Sequence, residues 1–391
     1  MQKYEKKSNR VIQELKNEKT YHIAVAVSND MLTDRRVARH VLTMLEAGYQ
    51  VSIVCRAPQT PASHQLPAAC YPLHTKSARG WRFYAELNMK LWRELVRLKP
   101  DAVWVNDTDT LLGGWLAARQ LRCRLVMDAH ELFPEVPEIV HKPLVKWVWR
   151  TIESMLMPRC DALLTVCDSI AEYYRLKYGI SMTVVRNVPK MESGKWKAES
   201  EAGASQLSTL NSQLSILLYQ GSVNVGRGVD WAIDAMELLP ECHLVIAGGG
   251  DLLEQMKHYA SLKPWHNRIT FTGRLMPAEL EPLTAQADVG LVMLEDLCLS
   301  YHYALPNRIG DFIAAGVPMV VSNLPEMAAV VRRYRVGEVI ADGAPAEKLA
   351  EAVKRVLAKQ WTEEAFAAAR KDMDWNKEKE KLLNICYTTF C

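Results

Sequence analysis

"VGLVMLEDLCLSYHYALPNRIGDFIAAGVPMVVS", Val289 to Ser322, decides the fold. It opens on the aliphatic run "VGLVML" and closes on "PMVVS", with a helical run through Phe312 and Ile313 between them. Strands that are apolar on both faces and alternate with helices form parallel sheets covered on both sides. The same pattern recurs along the chain. Earlier runs are "YHIAVAVS", "YQVSIVC", "DAVWVND", "RLVMDAH", "ALLTVC" and "MTVVRNVP"; later ones are "SILLYQGS", "HLVIAGGG", "ITFTGR" and "GEVIA". Six strands and then six more predict two doubly wound α/β domains. Between them, "KMESGKWKAESEAGASQLSTLNSQ" is polar and nearly free of aliphatic residues, which reads as a linker or insertion. The expected organisation is a first domain at 1–189, a linker at 190–213, a second domain at 214–372, and a C-terminal helix at 373–391 packing back on the first domain.

Bulk composition narrows the function classes. A chain of 391 residues is too long for one ordinary core and comfortable for two. A net charge of +3 gives no nucleic-acid footprint. No apolar run approaches the roughly eighteen residues of a membrane span. The opening "MQKYEKKSNRVIQELKNEKT" is charged and is not a secretory signal. Nine cysteines without a CxxC pair fit reduced thiols in the cytoplasm better than a disulfide framework or a zinc site.

Ligands of such sheets bind beyond the carboxyl ends of the strands. In the first half these ends carry Ser28-Asn29-Asp30, Asn106-Asp107 and Asp128-Ala129-His130; in the second, Gly221-Ser222, Gly248-Gly249-Gly250 and Gly273-Arg274. Two facing sites across a cleft are the expected arrangement. In "QGSVNVGRGVD", Arg227 stands between two glycines ahead of a helix. That combination suits a phosphate, because glycine admits close approach, a helix start attracts anions and guanidinium is a forked cation; a solvated arginine on an ordinary loop is the alternative. "IAGGGD" lacks dinucleotide spacing and suits nucleoside contacts or a tight turn. Pro306 starts the helix of the opening stretch. Arg308 lies beside its first-turn amides, and Asp311 is spaced to accept bonds from two vicinal ribose hydroxyls, unless it only caps and pairs. His130, beside Asp128 and Glu131, suits a substrate-facing polar role. "NDTDT" at 106–110 reads as a helix cap at Asp109 or Thr110 rather than a metal-binding acidic pair. In "HKPLVKWVWRTIESMLMP", Val145, Val148, Ile152 and Met155 fall at helical spacing. The reading preferred is a core-packed helix with Lys142, Lys146 and Arg150 on a solvated face; the other is a helix resting, through Trp147, on an anionic membrane surface.

Together these residues resemble the retaining, nucleotide-sugar-dependent glycosyltransferases of family 4, over roughly Tyr21 to the C-terminus. "GSVNVGRG", "IAGGGD", "ITFTGRLMPAELEPLTAQADVGLV", "ALPNRIGDFIAAGVPMVVSNLPEM" and "VGEVI" stand in that family's order and spacing. "SNDMLTDRRVARHVLTMLEAGYQVSIVCR", "DAHELF" and "VVRNVP" resemble its first strand-loop-helix, its active-site histidine segment and its hinge strand. The resemblance implies a GT-B fold of two Rossmann-like domains and transfer of a hexosyl group from a nucleoside diphosphate sugar to a hydroxyl of a carbohydrate or glycolipid acceptor. It implies no cofactor, no metal, and a cytoplasmic protein with peripheral membrane contact. His130 and Arg227 take the catalytic places. Gly221, Ser222, Gly248, Gly249, Gly273, Arg274, Leu305, Asn307, Arg308 and Asp311 take donor places beside Arg227. Asn29, Asp30, Arg35 and Asp107 take acceptor-side places. Family members usually carry an arginine and a second cation five residues on, and two glutamates eight apart; here those places hold Ser222 and Arg227, then Tyr303 and Asp311. A nucleotide-sugar epimerase and a catalytically inactive partner subunit of the same fold are the alternative readings.

Overall fold

The computed structural model describes residues 20–29, 34–57, 66–77, 79–191, 214–340 and 345–390. Asp30 and nearly all of the expected linker lie outside them. The chain divides into two units, Met1–Val185 with Glu378–Cys391, and Arg186–Lys377.

Unit 1 holds β1 (His22–Ala26), α1 (Arg35–Glu46), β2 (Gln50–Arg56), β3 (Ala69–Leu73), α2 (Gly80–Leu98), β4 (Ala102–Asn106), α3 (Thr108–Leu121), β5 (Arg124–Ala129), α4 (Pro143–Leu156), β6 (Ala162–Thr165), α5 (Asp168–Tyr178) and β7 (Thr183–Val184). The sheet is parallel in the order β3-β2-β1-β4-β5-β6-β7, so chain order reverses between β1 and β4. Strand β3, "ACYPL", is one the sequence did not suggest. It is a half-exposed edge strand containing Pro72, and an edge is where a residue without an N–H is tolerated. Helix α1 starts where the Asp34 carboxylate accepts from the amides of Arg36 and Val37.

Unit 2 holds β8 (Ser215–Gln220), α6 (Val229–Ala235), β9 (Cys242–Ala247), α7 (Leu253–Ser261), β10 (Ile269–Gly273), α8 (Pro277–Ala285), β11 (Val289–Val292), α9 (Asn307–Ala315), β12 (Met319–Val321), α10 (Pro325–Tyr334), β13 (Gly337–Val339), α11 (Pro345–Ala358) and α12 (Glu363–Asp372). Its parallel sheet runs β10-β9-β8-β11-β12-β13, reversing between β8 and β11. Every residue of β9 and β11 is buried, as strands covered on both faces require. The opening stretch is β11, a connection with a short helix at Leu299–His302, α9 and β12, and α9 stops at Gly316 in the left-handed conformation.

The last helix, α13 (Trp375–Phe390), joins unit 1 from Glu378 onward. Lys381 Nζ donates to the Val184 carbonyl at 3.2 Å, and the Tyr49 and Phe390 rings meet edge to face at 6.1 Å.

Candidate functional site

In unit 1 the polar strand ends gather at the β1/β4 reversal. Asn106 Nδ2 donates to the Ala26 carbonyl at 3.0 Å and ties β4 to β1. The next residue, Asp107, has φ 59° and ψ 166°, a region that is nearly glycine-only and costs a side-chain-bearing residue about 1–3 kcal/mol. Two bonds hold it there: its amide donates to the Asp128 carbonyl at 2.9 Å, and its carboxylate accepts from the His130 amide at 2.7 Å. Asp107 thus occupies the cap position of α3 without capping it, and the expected cap residues Asp109 and Thr110 fall inside the first turn. The backbone strain aims the carboxylate at His130 instead.

The His130 ring lies between two acids. Nδ1 is 3.3 Å from Asp107 Oδ2, and Nε2 is 3.3 Å from Asp128 Oδ2. Burial alone would lower the imidazole pKa, but the charges of Asp107 and Asp128 outweigh it and push it up to about 9. These charges favour the imidazolium, and both ring nitrogens face carboxylates. Asp128 is fully buried and bridged bidentately by Arg36, at 2.8 and 2.6 Å; Arg36 also donates to the Val185 carbonyl at 2.5 Å. Burial would raise the Asp128 carboxyl, but Arg36 and His130 hold it well below the usual carboxylate range. His40 closes the group, with Nδ1 3.3 Å from Asp128 Oδ2.

Of the other acceptor-side candidates, Asn29 donates to Asp34 at 3.1 Å, and Arg35 is half-buried at the start of α1. The sequence reading singled out Arg35, whereas the buried arginine is Arg36. Helix phase would have shown this, because Val37, Val41 and Met44 define the inward face and Arg36 and His40 lie on it.

Asp109 is 5% exposed, and its Oδ1, like Asn106 Oδ1, is buried without a hydrogen-bond partner among the described residues. Burial pushes its carboxyl up to about 7, against a bond from Ser28 that lowers it. Its unfolded pKa is about 3.8. Between those values the unfolded chain loses the proton that the folded one keeps, so stability falls as pH rises through this window. Asp109→Asn is expected to raise the melting temperature at pH 8 while changing little at pH 4. The gain at pH 8 is at most about 4 kcal/mol. Thermal melts at the two pH values check it, and equal effects at both would contradict the shift.

In unit 2 the strand ends of β8 and β11 are locked from beneath. Gln220, at the end of β8, donates to Asp311 Oδ2 at 3.0 Å and accepts from Thr284 at 2.8 Å. Asp311 is buried in the second turn of α9 and so is not a helix-start residue. Arg308, expected on a diphosphate, is buried: Nη1 donates to the Gln220 carbonyl at 2.8 Å and Nη2 to the Met293 carbonyl at 3.2 Å. Its fork clamps β8 to β11, and Nε is buried without a partner among the described residues. Arg227 is fixed from both sides. Gly226 and Gly228 have φ of 73° and 64°, and a Cβ on either would strike Leu297 or Met293 at 2.5 and 2.8 Å. The Arg227 guanidinium lies 4.7 Å over the Tyr301 ring, with Nε likewise buried and unpartnered. Burial first, and then the Arg227 charge among other causes, lower the Arg308 pKa, so the two cations feel each other.

The glycine run is explained unevenly. A Cβ on Gly248 would lie 1.7 Å from the Gly221 carbonyl, and one on Gly250 2.4 Å from Val223 O. One on Gly249 would meet only Arg274 Cβ at 3.8 Å, so no close neighbour in the fold requires this glycine. Gly221 (φ 136°) and Gly273 (φ 72°) end β8 and β10. Arg274 and Asn307 are exposed, and Ser222 and Leu305 half-buried. Helix α9 carries no side-chain cap.

Residues 34–189 match the family model described as Glycosyltransferase Family 4, and residues 215–359 that of Glycosyl transferases group 1. The chain belongs to glycosyltransferase family 4. Its solved neighbours share the GT-B fold of this family. Sucrose-phosphate synthase of Thermosynechococcus elongatus aligns at TM-score 0.74 and 16% identity, over 95% of this chain and 99% of that one. HepE of Anabaena, solved with UDP-glucose, aligns at 0.69 and 14%, over 94% and 100%. A glycosyltransferase of Rickettsia africae aligns at 0.67 and 13%, over 94% and 98%. No curated protein matches the chain by sequence. Among the described residues no helix is long and apolar enough to cross a membrane. Where this family usually has its first glutamate, Tyr303 packs edge to face on His302 at 4.9 Å, and His302 pairs with Asp296 at 3.0 Å.

Proposed function

We propose that the protein is a retaining hexosyltransferase that uses a nucleoside diphosphate sugar and a hydroxyl of a carbohydrate or glycolipid acceptor, with no metal ion in the transfer step. The carrying observation is the pair of Nε–H donors on Arg227 and Arg308 at the β8/β11 reversal, buried without a partner among the described residues. Two cations that repel each other and keep unspent donors favour an anion between them, and a diphosphate supplies one. In the reaction the bond from the sugar's anomeric carbon to the phosphate oxygen breaks. The acceptor oxygen bonds to that carbon on the same face, and the acceptor proton passes to the departing phosphate. Arg227 stabilises the charge that develops on the leaving group. His130, with both nitrogens facing carboxylates, removes no proton and instead holds the Asp107 carboxylate toward the substrate hydroxyls. Asp107, whose carboxyl burial raises, accepts a bond from one of them.

The test is incubation with UDP-, GDP-, ADP- and dTDP-sugars, with products read by NMR. Transfer or slow hydrolysis with the anomeric configuration kept, unaffected by EDTA, supports the reading. An epimerised sugar, an inverted product or no turnover with any donor would each overturn it.

Asp311 is assigned to the ribose. Asp311 is held beside the β8 strand end by Gln220, and a carboxylate there suits two vicinal hydroxyls, so the wild type is expected to favour a ribonucleotide over its 2′-deoxy analogue. Asp311→Ala should bring that preference toward unity, whereas Asp311→Glu should keep part of it. Calorimetric titration of both nucleotides decides; a lower melting temperature with an unchanged ratio would leave Asp311 a partner of Gln220 alone.

A further inference from the structure

Helix α4 does not bury the face its sequence suggests. Trp149, Glu153 and Leu156 are buried, whereas Val145, Val148 and Met155, which fall at core spacing, are 41%, 45% and 53% exposed. Lys146 and Arg150, expected on a solvated face, pair with the buried Glu135 at 2.6 and 2.5 Å. A helix that turns three apolar side chains to water and buries a carboxylate gives up hydrophobic stabilisation, and such departures from pattern mark functional places.

Glu153 takes hydroxyl donors from two other helices. Tyr174 Oη on α5 and Thr108 Oγ1 on α3 both donate to its Oε1 at 2.9 Å, and Tyr178 Oη on α5 donates to Oε2 at 3.1 Å. Burial raises its carboxyl, and these hydroxyls and the Lys177 charge oppose the rise. The tyrosines make the buried carboxylate tolerable and tie α4 to α5. Thr108 has a different place. It is 1% exposed, opens α3 and directly follows Asp107.

The backbone of Asp107, at φ 59° and ψ 166°, keeps that conformation only where its surroundings over-determine it. The surroundings do so from several sides. The Asp107 amide donates to the Asp128 carbonyl at 2.9 Å, and Thr110 Oγ1 donates to the Asn106 carbonyl at 2.7 Å. On another flank of α3, Asn88 of α2 donates to the Asp109 carbonyl and accepts from the Gly113 amide, both at 2.7 Å. Gly113 permits this approach, since a Cβ there would lie 2.7 Å from the Asn88 carbonyl. The Thr108–Glu153 bond acts on the residue whose shared peptide plane is set by the unusual ψ of Asp107. Releasing it frees that peptide to turn, and the Asp107 carboxylate to leave the His130 amide and ring that it now meets at 2.7 and 3.3 Å.

We propose that Glu153 and Thr108 are positioning residues: the hydrogen bond between them locks the strained Asp107 backbone, so that the Asp107 carboxylate stays on His130 and faces the acceptor. The role toward an acceptor rests on the transferase reading; the lock does not. T108V removes the hydroxyl and keeps the branched shape, whereas T108S keeps the hydroxyl and loses a methyl group. The His130 imidazole is to be titrated by NMR in the full chain without ligand. In T108V its pKa should fall by at least about one pH unit, because an opposite charge within about 4–6 Å moves a pKa by about 1–3. T108S should keep the wild-type value. A merely structural threonine would lower the melting temperature and leave the imidazole where it was. In an E153L background T108V should add little further shift, since no carboxylate is left for the hydroxyl to reach; should E153L fail to fold, the two threonine variants decide alone. With whichever nucleotide sugar the protein turns over, kcat of T108V should fall about ten- to a hundred-fold at unchanged donor KM, as a misplacement of about 1 Å can cost. An unmoved imidazole in T108V, an equal shift in T108S, or a full further shift in the E153L background would each overturn the proposal. A shifted imidazole in a protein that turns over no nucleotide sugar would sink the transferase reading and leave the lock; turnover with an unmoved imidazole would do the reverse.

Discussion

Arg227→Ala is expected to bind nucleoside diphosphates about ten- to a hundred-fold more weakly than the wild type, with little change for the nucleoside alone. The magnitude follows from the loss of a charge-assisted hydrogen bond, worth about 1.5–3 kcal/mol, at about 1.4 kcal/mol per factor of ten. The position adds to it. Gly226 and Gly228 hold the turn in backbone conformations that favour glycine, and Tyr301 supports the guanidinium plane at 4.7 Å, so little side-chain freedom is lost when an anion arrives. Arg227→Lys keeps the charge but not the fork and should fall between the two. Because Arg227 as a whole is only half-buried and is held by backbone and ring contacts, the alanine variant should fold normally. Calorimetry with whichever of UDP, GDP, ADP or dTDP binds the wild type is the measurement. Equal affinity of variant and wild type would remove the anion from this reversal and, with it, the observation on which the donor assignment rests.

What the sequence makes legible is the part of the fold written in local pattern. Runs such as "LVIAGGG" and "VGLVML" carry no polar side chain, and strands covered on both faces can be read from that alone. Strand β3 escapes because an edge strand is held by neighbours rather than by its own composition, and Pro72 argues against it locally. Arg308 shows a different limit. Its place beside Pro306 points to an anion, yet two of its nitrogens serve carbonyls 15 and 88 residues away, contacts that only the β8/β11 reversal creates. Helix α4 shows a third. Apolar residues surround it, so spacing cannot select its buried side; Glu153 does, through hydroxyls 21, 25 and 45 residues distant. His130 could be found because it follows a strand. Arg36, which with His130 holds the Asp128 carboxylate, sits next to the arginine the sequence reading preferred and differs from it only in helix phase.

Arg36→Met is expected to cost unit 1 about 3–5 kcal/mol, because it leaves the Asp128 carboxylate buried without its cation. Arg36 and Asp128 are 2% and 0% exposed, so water cannot take over the lost bonds, and the Val185 carbonyl also loses its donor. The corresponding drop in melting temperature is roughly 6–20 °C. The pH dependence separates this cause from lost packing. A carboxyl held below its ordinary range stabilises the fold above its unfolded pKa of about 3.8 and loses that contribution as pH falls through the folded value. In the variant the carboxylate is a liability instead, and protonation relieves it. The difference between wild type and Arg36→Met should therefore be large at pH 7 and shrink as pH approaches 4. Adding Asp128→Leu to Arg36→Met should recover part of the loss at pH 7, since an apolar pair of similar volume carries no desolvation penalty. The same double variant should fail to restore activity, because His130 would keep only Asp107 as an acid partner within 3.3 Å and its pKa should fall from about 9. Thermal melts across this pH range, with NMR titration of the imidazole, measure both consequences. A pH-independent stability gap would mean that Arg36 acts as a packing residue, and an unmoved imidazole pKa would mean that Asp107 alone sets the charge of His130.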